Sequence, residues 1–322
     1  MLEYGNHITV LLPAFNAEET LAIAIASLLD QTYPHFELLI IDDGSTDGTP
    51  EVVRRFDDAR IRYLRKENGG LGNALNFGLK EAAHEWIARM DADDIAVPHR
   101  LERQVRYLDT HPEVDVLSSW YAMFDERGIR CIVQTAADHE TIAGRLYLHS
   151  EIAHPGCMYR KADILDAGGY SQEIMEDYEL WNRLRSSVRF ANIPEVLMFI
   201  REQPDSITRK DIAKRNRTMR HIQQEYYGPD AQLSDEQHGW QEYFYGSKEK
   251  ARAHWKQGKC VKLAKPRVLL AWMLTYLPEP VFREFVESRI RLRMEYLRRY
   301  TRPEMRILRE LLRQFRMKAQ EL

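Results

Sequence analysis

The sequence predicts an α/β protein: a mainly parallel sheet, helices on both faces and a helical C-terminal extension. Three observations predict it. Short apolar, β-rich runs alternate with helical runs over roughly the first 120 residues, which is the pattern of a parallel sheet. Four of those runs end in polar, Gly- or Asp-rich stretches, "PAFN", "DDGSTD", "ENGG" and "DADD", at the strand ends where such a sheet holds its ligands. From about Asp211 the pattern is helical and rich in Arg, Gln and Glu.

The elements follow in order. "HITVLLP" is a short buried strand that ends at Pro13. The next helix is expected to begin near Asn16, with Glu19 three residues on in capping-box spacing. "FELLIIDD" is a second buried strand, and "GSTDGTPEVVRRF" a glycine turn and a helix with Pro50 at its favoured first position. "IRYLR" is a third strand, and "NGGLGNALNFGLKEAA" a turn and a helix. "EWIARM" is a fourth strand, followed by a helix from about Pro98 to Thr110 and the strand "VDVLSSW". Beyond about residue 120 the alternation weakens. "MEDYELWNRLRSS" has Leu180, Trp181 and Leu184 at helical spacing, with Glu176 and Asp177 at the helix start, where the helix dipole favours acids. "FANIPEVLMFIREQPDSIT" is a strand and a loop. The division expected is a catalytic domain over 1–210, its halves meeting near 120, and an extension over 211–322.

With 44% hydrophobic and 30% charged residues in 322, the composition is that of a globular protein and not a disordered one. Cys131, Cys157 and Cys260 are odd in number and far apart, which disfavours a disulfide framework or a zinc site and fits a reducing, cytoplasmic setting. No basic signal-peptide start and no run of about 18 apolar residues is present. Charge is uneven. Residues 251–322 hold 18 Lys/Arg against 7 Asp/Glu, and the rest of the chain 28 against 42. An acidic body with a basic tail points to a polyanionic partner for the tail.

Asp91, Asp93 and Asp94 crowd four positions after a buried strand. Carboxylates this close repel unless a cation lies between them, and hard divalent cations prefer oxygen ligands. The plain alternative is a solvated turn, or Asp94 capping the following helix. In a parallel sheet the four polar loops converge on one crevice, which favours a binding site.

With these stretches in order, together with "HPGCMYRK", "GGY" and "EDYELWNRL", the chain resembles the family 2 glycosyltransferases, which have the GT-A fold, over about residues 7–210. The resemblance is to non-processive bacterial members. It implies an inverting transfer of a sugar from a nucleotide-diphosphate donor, most commonly a UDP-sugar, to a saccharide or lipid-linked acceptor. Pro13, Ala14, Phe15, Glu18, Asp42, Asn68, Asp91 and Asp93 would line the donor site, with Ala14 and Phe15 against the base and Asp42 on the base or ribose side. Asp93 would ligate Mg2+ or Mn2+, assisted by Asp94, and His154 matches a position that completes this site in some members. Asp177 matches the catalytic base, with Glu176 the second candidate. Two departures stand out. The Gln-x-x-Arg-Trp motif of processive members is absent, and Leu75 replaces an arginine often seen there, which leaves Lys66 or Arg201 to meet the diphosphate.

A nucleotidyltransferase is a second reading, but "PAFNAEE" lacks the glycine phosphate loop it would need. A non-catalytic relative is a third, but Asp177 and all of "DADD" are present. For the tail, "VLLAWMLTYL" (268–277) is too short to span a bilayer. Ile290, Met294 and Leu297 mark an apolar face, with Arg291, Arg298, Arg302 and Arg309 on the polar side. Such a helix can seat on an anionic membrane surface at the inner face, or pack on the body or in a homodimer. Nucleic acid is not an expected partner.

Overall fold

The computed structural model describes residues 3–202, 212–228, 235–245, 247–258, 266–282 and 302–320. The expected domain boundary near 210 and the face at Ile290, Met294 and Leu297 lie outside the described residues.

Among the described residues nine strands form one sheet. They are β1 (Ile8–Ala14), β2 (Phe36–Asp42), β3 (Ile61–Arg65), β4 (Trp86–Arg89), β5 (Ile95–Ala96), β6 (Val116–Asp125), β7 (Gly128–Val133), β8 (Met158–Arg160) and β9 (Phe190–Arg201). The order is β3-β2-β1-β4-β8-β6-β9-β5, with β7 on β6. The first four strands pair parallel, as expected, and so do β6 and β9. The sheet is mixed beyond β4, because β8 inserts antiparallel between β4 and β6. Pro194 sits where β9 slips register against β6, between the pairs Ser119↔Ile193 and Trp120↔Val196. A bulge is where a strand tolerates a residue that cannot donate.

Helices α1 (Leu21–Leu29), α2 (Thr49–Arg54), α3 (Leu71–Glu81), α4 (Arg100–Thr110), α5 (His139–Arg145), α6 (Lys161–Asp166) and α7 (Glu176–Leu184) flank the sheet. The strands dictate their sides. Ile8, Val10 and Leu12 of β1 pack with Leu21, Ile25 and Leu28 of α1 and Leu101 and Val105 of α4. The alternate residue Leu11 packs with Leu75 and Leu79 of α3 and Trp181 of α7 in a separate cluster. Period-two alternation thus gives the sheet two buried faces.

The expected capping box is absent. Helix α1 begins at Leu21 behind Thr20, whose side chain makes no capping bond. Asn16 instead takes a left-handed turn at φ 48° and accepts Thr46 N–H at 2.8 Å. A short polar side chain tolerates that conformation, so the β1–α1 connection is a loop tied to its neighbour.

The extension contributes α8 (Ile212–Tyr227), α9 (Asp235–Tyr245), α10 (Lys248–Gln257), α11 (Pro266–Leu274) and α12 (Arg302–Gln320). Met219 and Ile222 of α8 pack on Tyr178 of α7. Gln223 donates to Tyr147 O at 2.6 Å and Arg185 to Tyr226 O at 2.8 Å. Helix α12 buries Leu308, Leu311 and Phe315 against Ala26 of α1, Ile95 and Val97, and Phe124 and Phe199 of β6 and β9, while Gln314 bonds Asp30 at 3.2 Å. The apolar face of this basic helix is therefore occupied by the body, and Arg306, Arg309 and Arg313 point outward.

The docking of α12 is testable. Phe315 is fully buried, so Phe315→Ala should cost about 3–5 kcal/mol in urea unfolding. The exposed Arg313→Ala should stay within about 0.5 kcal/mol. Equal effects would show that α12 is not held on the body.

Candidate active site

The site sits at the carboxyl ends of β1, β2 and β4. Pro13 and Ala14 are buried at the end of β1, and Phe15 is half exposed. Glu18 is not free to reach far, because its Oε2 accepts Gly48 N–H at 2.7 Å. Asn16 N–H donates to Ser45 Oγ at 3.0 Å. The β1–α1 and β2–α2 loops are thus one braced wall. Asp42 is fully buried; its carboxylate accepts Ser45 N–H at 2.8 Å and the Tyr63 hydroxyl, with Arg65 at 3.7 Å.

Asp43, which the sequence reading passed over, organises the third loop. It accepts Lys66 Nζ at 2.6 Å, Gly69 N–H at 3.0 Å and Gly70 N–H at 2.7 Å, while Asn68 donates to its carbonyl at 2.9 Å. Gly44 between them is at φ +77°, and a Cβ there would lie 2.7 Å from Asn68 N. Only glycine fits that close approach. The signal for Asp43 was the second acid of "DDGSTD". Lys66 is committed to Asp43 rather than open to a diphosphate.

The acid cluster is real. One carboxylate oxygen from each of Asp91, Asp93 and Asp94 lies within 4.8 Å of the others. Asp94 Oδ1 accepts Arg201 N–H at 2.8 Å, and Arg201 Nε donates to Asp93 O at 3.1 Å. Asp94 Oδ2 is buried without a partner. Burial, then the negative charge of Asp91, pushes Asp93 up to about 6. Burial and its two neighbours push Asp94 well above the usual carboxylate range. A compact, raised, oxygen-only donor set with an orphaned buried oxygen fits a hard divalent cation, for which Asp93 and Asp94 are the ligands at hand.

Beneath the cluster lies Arg89, which the sequence reading also missed, since it closes a run that otherwise looks apolar. It is buried and grips Asp91 with two nitrogens, at 2.6 and 2.9 Å. Burial works against its charge, but Asp91 together with Cys157, Tyr170 and Glu176 outweighs burial and raises its pKa. Arg100 is buried behind it, donates to Arg89 O at 2.7 Å, and is lowered by burial to about 10.

Glu176 and Asp177 begin α7 after Met175, which is left-handed at φ 67°. Burial, then Asp177, pushes Glu176 up to about 7, and burial raises Asp177. Arg89 opposes both shifts and Asp91 reinforces both, so the two acid groups share one field. His154 lies in a 3-10 turn (His154–Gly156). Its Nδ1 is 3.9 Å from Glu176 Oε1, and its Nε2 is 3.1 Å from the Tyr170 hydroxyl. Burial, then Arg89, holds it neutral. The structure places His154 beside Glu176 and outside the three-aspartate group.

Comparison with known proteins agrees with this geometry. The glycosyl transferase family 2 model matches residues 9–169. The putative glycosyltransferase EpsE of Bacillus subtilis is 34% identical over 218 residues, 64% of this chain and 77% of the relative. Two solved structures share the fold. S. aureus TarS 1–349 in complex with UDP-GlcNAc superposes with a TM-score of 0.59 at 20% identity, covering 97% of this chain and 92% of the other. Mannosyltransferase PcManGT from Pyrobaculum calidifontis, in complex with GDP-Man and Mn2+, gives 0.56 at 17% identity, covering 94% and 90%. The fold is GT-A, and the chain belongs to glycosyl transferase family 2 and is a glycosyltransferase.

Proposed function

We propose that the protein transfers a sugar from a nucleotide-diphosphate donor, a UDP-sugar, to an acceptor hydroxyl with inversion at the sugar carbon. One observation carries the reading: two acid groups from different elements, Asp91–Asp93–Asp94 and Glu176–Asp177, lie close enough that Asp91 and buried Arg89 act on both Glu176 and Asp177. The UDP-GlcNAc of the TarS complex and the Mn2+ of the PcManGT complex support donor and cation by kinship. A Mg2+ or Mn2+ held by Asp93 and Asp94 supplies charge stabilisation for the leaving diphosphate. The walls Pro13–Phe15, Glu18, Asp42 and Asn68 hold the nucleotide in place.

Asp177 takes the acceptor proton. A carboxylate across the crevice from the leaving group permits direct displacement, which inverts configuration and needs no covalent intermediate. Its raised pKa moves it toward neutral pH, where a general base is more effective. Glu176, with His154 3.9 Å from it, is the second candidate.

The decisive experiment measures UDP-sugar turnover with and without Mn2+. Asp93→Ala should abolish turnover, and undiminished activity of that variant in chelator would sink the metal assignment. Asp177→Asn should cost on the order of 10²–10⁴-fold in rate with donor affinity unchanged. A collapse of donor affinity instead would make Asp177 a binding residue, and Glu176→Gln run in parallel tests the other acid.

The metal-free chain should also respond to pH. Asp93 at about 6 and Glu176 at about 7 lie above their unfolded values, so the folded state holds their protons more tightly. Stability is therefore lost as pH rises from the ordinary values, 3.8 and 4.5, up to about 6 and 7, and is fully regained only on acidification to those ordinary values. Thermal melts of the wild type should show this slope, and Asp93→Asn should flatten it. A slope unchanged in that variant would remove Asp93 as its source.

A further inference from the structure

We propose that helix α11 and the turn after it seat the protein on an anionic lipid surface. Helix α11 is apolar on two opposite sides. Its inner side, Val268 and Ala271, joins Tyr243, Trp255 and Phe282 in a small core of the extension. Its outer side carries Leu270 and Met273, continued by Tyr276 and Val281, at 56%, 50%, 61% and 47% exposure. Leu270, Met273 and Tyr276 recur every third residue and form one ridge. Four of the nine large apolar side chains exposed among the described residues fall in these twelve positions. A helix apolar on both sides requires a second apolar partner.

The rim says what that partner is. Arg252 stacks over the Tyr276 ring at 4.6 Å and donates to Thr275 O at 2.7 Å. Lys248 donates to Leu277 O at 2.8 Å and pairs with Glu279 at 3.0 Å, Arg252 pairs with Glu249 at 3.3 Å, and Lys250 and Lys256 of α10 are exposed. An apolar ridge with an amphipathic tyrosine and cations at its margin is how a helix lies in the headgroup layer. Charge separates the possible occupants. The charged groups of α10 and the turn are Lys248, Lys250, Arg252 and Lys256 against Glu249 and Glu279, so a second copy docking through this face sets like charge against like, whereas anionic headgroups attract it. Nucleic acid meets the charge but has no use for the ridge. Among the described residues no helix is long and apolar enough to cross a membrane, so the contact is superficial. Helix α12, the other basic helix, has its apolar side buried on the body.

Flotation of the full chain with phosphatidylglycerol–phosphatidylcholine vesicles, against phosphatidylcholine alone, tests the proposal. Binding should need the anionic lipid and weaken with salt. Leu270→Ser combined with Met273→Ser should lower it by about tenfold, from the lost apolar burial, with the thermal midpoint unchanged because both residues are exposed. Ile307→Ser, an exposed apolar residue outside the ridge, should leave flotation unchanged. Absence of flotation, flotation indifferent to the ridge, or a dimer in light scattering that the ridge substitutions dissolve would overturn it. Donor turnover in detergent-free solution is read separately, so a failed flotation leaves the transferase reading standing and a failed turnover leaves this one.

Discussion

The bidentate pair of Arg89 with Asp91 is the interaction on which the site depends. Five carboxylates, Asp91, Asp93, Asp94, Glu176 and Asp177, converge from the end of β4 and the start of α7. Without a countercharge they would repel one another in a setting where desolvation already disfavours the ionised form. Arg89 stands beneath them, buried, with its charge held by Asp91 and felt by Glu176, Asp177, Asp93 and Asp94. Removing one member of a buried pair costs about 3–5 kcal/mol because the other is left uncompensated. The fold tolerates Arg89 because Asp91 and the surrounding acids answer it.

The compensation is incomplete, and that is the useful part. Arg89 pairs with Asp91, yet Asp93, Asp94, Glu176 and Asp177 all remain raised. Their raised affinity for protons marks a place that would accommodate added positive charge. The loops around it are fixed independently. Asp43 gathers Lys66, Asn68, Gly69 and Gly70, and Glu18 closes on Gly48. These loops thus stand ordered without a ligand, so little binding energy would be spent on ordering them.

What could be read from the sequence follows the same physics. β1, β2 and β4 were legible because central strands covered on both faces are continuous apolar runs. The Asp91–Asp94 cluster was legible because three acids in four positions after such a run repel one another unless positive charge meets them. The short strands β5 and β8 were not: two or three residues carry no period, and their partners lie far along the chain. Asp43 was hidden for a related reason, since it acts through the loop after β3, and Arg89 was hidden because it closes an otherwise apolar run. Asn16 looked like a cap because the spacing to Glu19 suits one, but the neighbouring loop offered Thr46 N–H and the helix began later. The helical, basic pattern of the C-terminal stretch was legible, while the partner of α12 was not, because protein and lipid present the same apolar surface to a helix.

The extension is more than an attachment to the catalytic body. Helix α8 holds α7 through Tyr178, Asn182 and Arg185, the helix whose first turn carries Glu176 and Asp177. Helix α12 packs on Ile95 and Val97, the residues immediately beyond Asp93 and Asp94. Phe124, in the same cluster, carries the Arg201 guanidinium on its ring at 4.7 Å, and Arg201 in turn bonds Asp93 and Asp94. Two helices from the C-terminal third therefore stand one contact behind the two acid groups. Packed interiors transmit small displacements because they have few voids to absorb them. The placement of the two acid groups thus depends on side chains from a region whose sequence shows only helical, basic patterning.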